Sequence, residues 1–146
     1  MARAAVAVLA AVTLTLAGCS SSGNSAGVIT HAHDAMTSGA AAGPQLLDPA
    51  SFESAEAGRL LINVHVPDEG SLPGTDLALP YNEIDARITE LPADTATPLA
   101  IYCMSGNMSA IAGQELRQLG YTDVIELDGG MRAWQDSGRT LLSAGS

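Results

Sequence analysis

Residues 99–110 read LAIYCMSGNMSA, an apolar run that leads through a short polar loop into a helical pattern. The run from Leu99 to Tyr102 is apolar at successive positions, which is typical of a parallel strand buried on both faces. From Ser109 to Leu119 the apolar residues recur at helical spacing, and Gly120 then ends the helix. This junction predicts a strand that delivers Cys103 at its carboxyl end, followed by a tight loop and a helix.

The same alternation of strands and helices extends over residues 44–142. Asp48 followed by Pro49 is a typical helix start, because aspartate caps the first turn and proline suits its first position. Further strands are predicted at 45–47, 60–65, 77–79 and 124–127, and further helices at 48–57, 82–91 and 131–136. This alternation predicts one α/β domain, with a central parallel sheet of about five strands flanked by helices.

Residues 1–19 have the composition of a targeting segment. Arg3 precedes an apolar stretch, residues 4–16, that is too short to span a bilayer as a helix, which needs about 20 residues. Residues 16–19 (LAGC) resemble the bacterial lipobox, and the resemblance implies cleavage before Cys19 and transfer of a diacylglycerol to its thiol. An ordinary cleaved signal followed by a chance cysteine is the alternative.

The lipobox reading predicts a signal peptide at 1–18, a lipidated Cys19 with a flexible linker to residue 43, and a folded domain at 44–146. We therefore expect a lipoprotein anchored in a cell membrane, on its extracytoplasmic side. Lipidation of Cys19 would leave Cys103 as the only thiol of the chain. A lone thiol in an oxidising compartment is either buried and inert or present for chemistry.

The linker also contains His31, His33 and Asp34, a cluster of residue types that bind zinc or copper. Two or three ligands on a flexible segment make a poor site, so a solvated linker is favoured and no metal is expected.

Composition excludes several classes of function. The chain has 6 basic and 16 acidic residues and a net charge of -10, which argues against binding nucleic acid or adhering electrostatically to anionic lipid. The apolar fraction of 47% allows a folded core, and 2 cysteines cannot form a disulfide scaffold. We expect a monomer.

The position of Cys103 predicts nucleophilic chemistry. Ligands of parallel α/β sheets bind beyond the carboxyl ends of the strands. A short loop there turns its N–H groups inward at the positive end of the helix dipole, which favours a thiolate without a general base. Gly106 permits the positive φ that such a tight loop needs.

Four motifs resemble those of the rhodanese-like (sulfurtransferase) domain. Residues 103–109 (CMSGNMS) match its C-x-x-G-x-x-S loop, and residues 127–134 (LDGGMRAW) match its L-x-G-G-x-x-A-W signature. Residues 61–65 (LINVH) align with its L-I-D-V-R strand, and residues 72–74 (LPG) align with its I-P-G-A turn. The resemblance covers about residues 44–142 and implies the same α/β fold.

The resemblance also implies a mechanism without a cofactor. A sulfur donor, thiosulfate or a thiol persulfide, gives its outer sulfur to Cys103, and a thiol or cyanide-like acceptor then removes it. Gly129 and Gly130 pack beside the active-site loop, and Trp134 fixes the last helix on the core. The loop residues that hold the leaving anion and the persulfide are Met104, Ser105, Gly106, Asn107, Met108 and Ser109.

Three positions depart from the family pattern. Met108 replaces the common loop arginine, and Asn63 and His65 replace an aspartate and an arginine. The pocket thus loses a fixed cation, so we expect weak turnover of thiosulfate and a better reaction with a thiol persulfide or polysulfide. Asn63 is expected to hydrogen-bond the loop amides. His65 is either an acid or base near the sulfur or, the favoured alternative, a strand-end histidine bonded to backbone.

Two further points concern the loop. Met104 and Met108 either rim an apolar pocket or are simply exposed. Related phosphatases of this fold use a C-x5-R loop, and Ser109 in place of that arginine argues against hydrolysis of phosphate esters.

Three functions compete. The first is an extracytoplasmic sulfurtransferase that works through a Cys103 persulfide, which retention of Cys103, Gly106 and Ser109 favours. The second is a catalytically silent binding module, which loss of the loop arginine favours. The third is a redox sensor, in which Cys103 would have to form an intermolecular disulfide.

Overall fold

A central parallel sheet organises the part of the chain, residues 43–145, that a computed structural model describes. Its strands are β1 (Gln45–Leu47), β2 (Leu60–Asn63), β3 (Leu77–Ala78), β4 (Leu99–Tyr102) and β5 (Val124–Leu127), in the spatial order β1-β5-β4-β2-β3. Its helices are α1 (Pro49–Ala55), α2 (Asn107–Gln118) and α3 (Gly130–Asp136). The prediction of an α/β domain with five parallel strands is therefore confirmed. The signal peptide, Cys19, His31, His33 and Asp34 lie outside the described residues.

Strand β4 lies at the centre of the sheet, paired with β2 on one side and β5 on the other. All of its residues are buried, as its apolar composition predicts. Cys103 follows directly after it and is therefore held at the middle of the sheet's carboxyl edge.

The sheet separates two hydrophobic clusters. Because successive strand residues point to opposite faces, Ile101 and Cys103 join the cluster under α2, whereas Ala100 and Tyr102 join the cluster with Phe52 and Trp134 on the other face. Trp134 is 4% exposed, which agrees with the prediction that it fixes the last helix on the core.

Helix α1 begins as its sequence predicts. The Asp48 Oδ1 accepts hydrogen bonds from the N–H groups of Ala50 at 3.0 Å and Ser51 at 3.2 Å, and Pro49 occupies the first helical position. The helix ends at Ala55, two residues before the expected end.

The predicted helix at 82–91 is wrong. The segment forms turns and one 3-10 turn, Ile88–Glu90, in which the N–H of Leu91 donates to the Ile88 carbonyl. Ile84 and Leu91 are nevertheless buried, so the spacing identified the face that packs on the core. The segment contains asparagine, aspartate and β-branched residues, which have low helix propensity. Pro92 limits its length, and a short segment gains too little packing energy to offset this low propensity.

The helices between residues 43 and 145 are all too short or too polar to cross a membrane.

Candidate active site

The site is built around the turn from β4 into α2. The Gly106 N–H donates to the Cys103 Sγ at 3.1 Å, and Cys103 itself is 1% exposed. Gly106 has a φ of 95°, which confirms the positive φ expected of it. Helix α2 starts at Asn107, two residues earlier than expected, so the Gly106 N–H that contacts the sulfur lies immediately before the helix. Backbone N–H groups at a helix start favour an anion, here a thiolate.

Gly129 and Gly130 hold the other side of the loop, as predicted. The N–H groups of Met131 and Arg132 donate to the carbonyls of Cys103, at 2.8 Å, and Met104, at 3.1 Å. Gly130 has a φ of 59°, and a Cβ there would overlap the Cys103 carbonyl oxygen and lie 2.7 Å from the Met104 carbonyl carbon. Only glycine lets the two segments approach this closely.

Ser109, the last residue of the loop motif, contacts three groups at once. Its Oγ lies 3.4 Å from the Cys103 Sγ, 3.1 Å from the Gly106 carbonyl oxygen and 2.5 Å from the Glu126 Oε1. Ser109 is fully buried and Glu126 is 2% exposed. The hydroxyl therefore connects the thiol to a buried carboxyl group.

The carboxyl group of Glu126 has a perturbed pKa. Burial raises the pKa of Glu126 because the charged form loses its hydration, the hydrogen bond from Ser109 opposes this shift, and the charge of Asp128 raises the pKa further. The Glu126 Oε1 accepts a hydrogen bond from the Ser109 hydroxyl, which itself touches the thiol.

The sequence analysis does not identify Glu126, because it predicts residues 124–127 as a strand and assigns no role to its side chains. A signal was present, however. Ile125 and Leu127 pack with the cluster of Trp134, so Val124 and Glu126 face α2, the face that carries Cys103. One acidic residue on the inner face of a buried strand needs a partner, and that requirement pointed to the site.

Asn63 does not bind the loop amides, which corrects the expectation. Its Nδ2 donates to the Gly70 carbonyl at 3.0 Å, and its Oδ1 accepts from the His65 N–H at 3.0 Å. The reason is strand parity: Asn63 points to the same face as Leu61, which packs opposite to the face of Cys103.

His65 is also placed differently from the favoured expectation. Its ring is not bonded to backbone, since Nε2 lies 2.6 Å from the Glu69 Oε2 and Nδ1 is buried without a partner in the described part of the chain. The ring lines a cavity of about 270 Å³ whose walls also include Asp68 and Asp76 but not Cys103. This arrangement shows no contact between the His65 ring and the Cys103 sulfur, so it does not support the alternative role of His65 as an acid or base.

Met104 and Met108 support the loop from two sides. Both are half-buried; Met104 packs on the cluster of Trp134, and Met108 packs on the cluster under α2. Ser105 and Asn107 between them are exposed. The methionines are thus packed against the core, and neither is simply exposed.

The ion pairs formed by arginines within residues 43–145 lie away from Cys103 and Glu126. They join Arg59 with Asp123, Arg87 with Glu83 and Glu90, and Arg139 with Glu53. The same residues contain no group of three or more histidine, cysteine, aspartate or glutamate side chains that could hold a metal. The groups in hydrogen-bond contact with the Cys103 Sγ are the Gly106 N–H, at 3.1 Å, and the Ser109 hydroxyl, at 3.4 Å.

Two curated proteins are similar to this chain in sequence. A protein named sulfurtransferase from Allochromatium vinosum is 37% identical over 87 residues, which cover 58% of this chain and 78% of that protein. An uncharacterized protein from Synechocystis is 32% identical over 77 residues, and these cover 53% of this chain and only 38% of that protein.

Solved structures agree on the fold. A rhodanese-related protein from Thermoplasma volcanium superposes with a TM-score of 0.57 at 23% identity, over 67% of this chain and 97% of that chain. A thiosulfate sulfurtransferase from Pseudomonas aeruginosa gives a TM-score of 0.58 at 25% identity, over 68% of this chain but 20% of that chain. The family model described as the rhodanese-like domain matches residues 31–137. The chain belongs to the rhodanese-like domain family.

Proposed function

We propose that this protein is a sulfurtransferase that carries sulfane sulfur as a persulfide on Cys103. The observation that carries the proposal is the Gly106 N–H donating to the Cys103 Sγ at 3.1 Å, at the start of the 12-residue helix α2. This geometry stabilises a sulfur anion, which is the form that attacks a sulfur donor. The relative named sulfurtransferase, 37% identical, supports the same chemistry.

Each half of the reaction balances without a cofactor. The Cys103 thiolate attacks the outer sulfur of the donor, a new S–S bond forms, and the donor's old bond breaks with its electron pair on the leaving group. The acceptor then attacks the outer sulfur of the persulfide, and Cys103 leaves as a thiolate. In both steps the negative charge on the Cys103 sulfur is held by the Gly106 N–H.

The preferred donor in this proposal is a thiol persulfide or polysulfide. Thiosulfate carries two negative charges, and the net charge of the chain is -10. Met108 stands where the common family arginine would supply a cation. Without that arginine, only the backbone N–H groups of the loop stabilise the two negative charges of thiosulfate. A donor with less negative charge requires less stabilisation.

A silent binding module is the second candidate function. The observation that favours it is burial, since Cys103 is 1% exposed and a donor must reach its sulfur. Such a module would keep the fold but would not acquire sulfur.

The test is the intact mass of the full-length chain after thiosulfate and, separately, after a thiol persulfide. A Cys19→Ser background leaves Cys103 as the only thiol, and Cys103→Ser in that background is the matched control. We expect a gain of one sulfur that cyanide removes and that the control lacks, with more loading from the thiol persulfide. No adduct from either donor, on a thiol that still reacts with an alkylating agent, would favour the silent module.

We also propose that the protein is a lipoprotein on the extracytoplasmic side of a cell membrane. Support comes from residues 16–19, which resemble a lipobox, and from the small and polar residues that follow. Expression in a bacterial host with labelled fatty acid tests this directly. Label should enter the native chain and not the Cys19→Ser variant, and label in both or in neither would refute the proposal.

A further inference from the structure

A buried carboxyl group is connected to the reactive thiol by a single hydroxyl. The Glu126 Oε1 lies 2.5 Å from the Ser109 Oγ, and that oxygen lies 3.4 Å from the Cys103 Sγ. Glu126 belongs to β5, Cys103 follows β4, and Ser109 lies in the first turn of α2 above both. Glu126 lies outside the four family motifs quoted above.

Counting hydrogen atoms limits how these groups can be protonated. A serine hydroxyl has one hydrogen to donate, and here it is surrounded by two oxygens and one sulfur. If Ser109 donates to a Cys103 thiolate, its 2.5 Å contact with Glu126 is a hydrogen bond only when Glu126 is protonated and donates to the Ser109 Oγ. If Glu126 is ionised, that contact is a hydrogen bond only when Ser109 donates to the carboxylate, which leaves no serine hydrogen for a sulfur anion.

Electrostatics favour the same two arrangements. The two distances place the sulfur and the carboxylate oxygen within about 6 Å of each other, where two negative charges repel strongly in a buried site. No arginine within residues 43–145 forms a recorded ion pair with Glu126. The partner positions on the neighbouring strands are Leu46 and Ile101, which are apolar, and the further charge acting on Glu126 is Asp128, also negative.

From this geometry we propose that Glu126 is a positioning residue that accepts the Cys103 thiol proton through the Ser109 hydroxyl. The proton leaves Sγ for the Ser109 Oγ while the Ser109 proton moves to the Glu126 Oε1. The net change converts a thiol and a carboxylate into a thiolate and a carboxylic acid. The neutral acid then donates to Ser109, which frees the serine hydrogen for the sulfur anion. The inference rests on the proposed function for its use in catalysis, but the proton coupling itself does not require sulfur transfer.

The test measures how fast Cys103 reacts with iodoacetamide, a neutral reagent, across a range of pH. It uses the full-length chain with Cys19→Ser, with and without Glu126→Gln. Glutamine keeps the size of the side chain and can donate to Ser109, but it carries no charge. We expect Glu126→Gln to lower the pH of half-maximal reactivity by about 2 units, the shift produced by removing a charge about 6 Å away at an effective dielectric of about 20.

The matched control is Glu115→Gln, which removes the same charge from α2 outside the described contacts of the thiol. It should leave the pH profile unchanged. A second measurement needs no substitution at the site: in the proposed coupling, the Cys19→Ser chain with its native Glu126 should react in two steps as pH rises. A merely structural role of Glu126 would give one step and no shift, and that result would overturn the inference.

The outcomes for sulfur transfer and for proton coupling are separable. A shifted pH profile without uptake of sulfur would support the coupling and reject the transferase. Uptake of sulfur with identical one-step profiles in the native chain and in Glu126→Gln would keep the transferase and reject the coupling.

Discussion

Replacing Gly130 with alanine tests whether the contact between the two glycines and the active-site loop holds the site together. Gly130 has a φ of 59°, and a Cβ there would overlap the Cys103 carbonyl oxygen and lie 2.8 Å from the Ser105 nitrogen. These atoms are backbone, so the loop itself would have to move. A left-handed conformation costs a non-glycine residue about 1–2 kcal/mol, and displacing the loop adds to this cost.

Gly138→Ala is the matched control, because Gly138 also has a positive φ, 85°, but a Cβ there would meet nothing within 4 Å. The free energy of unfolding of Gly138→Ala should fall by about 1–2 kcal/mol, the cost of the left-handed conformation alone. We expect Gly130→Ala to lose more than about 3 kcal/mol, or more than about 12 °C in Tm for a domain of this size. Part of this loss of stability should come from the hydrogen bonds that the N–H groups of Met131 and Arg132 donate to the loop carbonyls, because moving the loop breaks them.

The assay is urea unfolding of both full-length variants, followed by circular dichroism, with alkylation of Cys103 as a second readout. Gly130→Ala should also expose the thiol, so its alkylation should be faster than in the native chain, while Gly138→Ala should match the native rate. Equal stability losses in the two variants would refute the argument that the close approach of Gly130 to the loop matters beyond its φ.

Three further predictions concern the loop and its buried acid. Met108→Arg should increase loading from thiosulfate at least several-fold, by intact mass, with little change for a thiol persulfide; equal gains for both donors would contradict the charge argument. Ser109→Ala should lower the free energy of unfolding by about 1–3 kcal/mol, because the buried Glu126 loses its hydrogen bond; urea titration measures this, and an unchanged midpoint would contradict it. Burial raises the pKa of Glu126. At pH values between the ordinary glutamate pKa and this raised pKa, the folded state therefore binds more protons than the unfolded state. The stability should therefore fall as pH rises from that ordinary value through the raised one, and Tm measured over this range should show a smaller fall in Glu126→Gln.

The elements that position Cys103 could be predicted from the sequence because each depends on local chemistry. The apolar run of β4, the glycine after the cysteine and the helical spacing of α2 each specify one conformation, and together they place the sulfur at a helix start. The contact of Gly129 and Gly130 with the loop joins segments that are distant in the sequence. It is expected only because residues 127–134 resemble a family motif. The structure supplies its reason in the backbone contacts at Gly130.

The failures arose where side-chain direction or tertiary context decides the outcome. The segment 82–91 has helical spacing, but its residues have low helix propensity and it ends against Pro92. Asn63 and His65 were assigned to the site from alignment to the family strand, although strand parity directs Asn63 away from the face of Cys103. The same parity in β5 places Glu126 on the face of Cys103, because its neighbours Ile125 and Leu127 pack in the opposite cluster.

The replacement at position 108 and the buried acid at position 126 have linked consequences. A loop arginine would hold a permanent positive charge against the sulfur anion, whereas Met108 supplies none. In the proposed coupling, a proton shared between Cys103 and Glu126 replaces that charge: the pair carries one negative charge whether the proton lies on sulfur or on oxygen. Forming the nucleophile then moves charge within the site and does not create it. We therefore expect the site to react with a weakly charged persulfide more readily than with a dianion, because a dianion would meet the pair's negative charge in either arrangement.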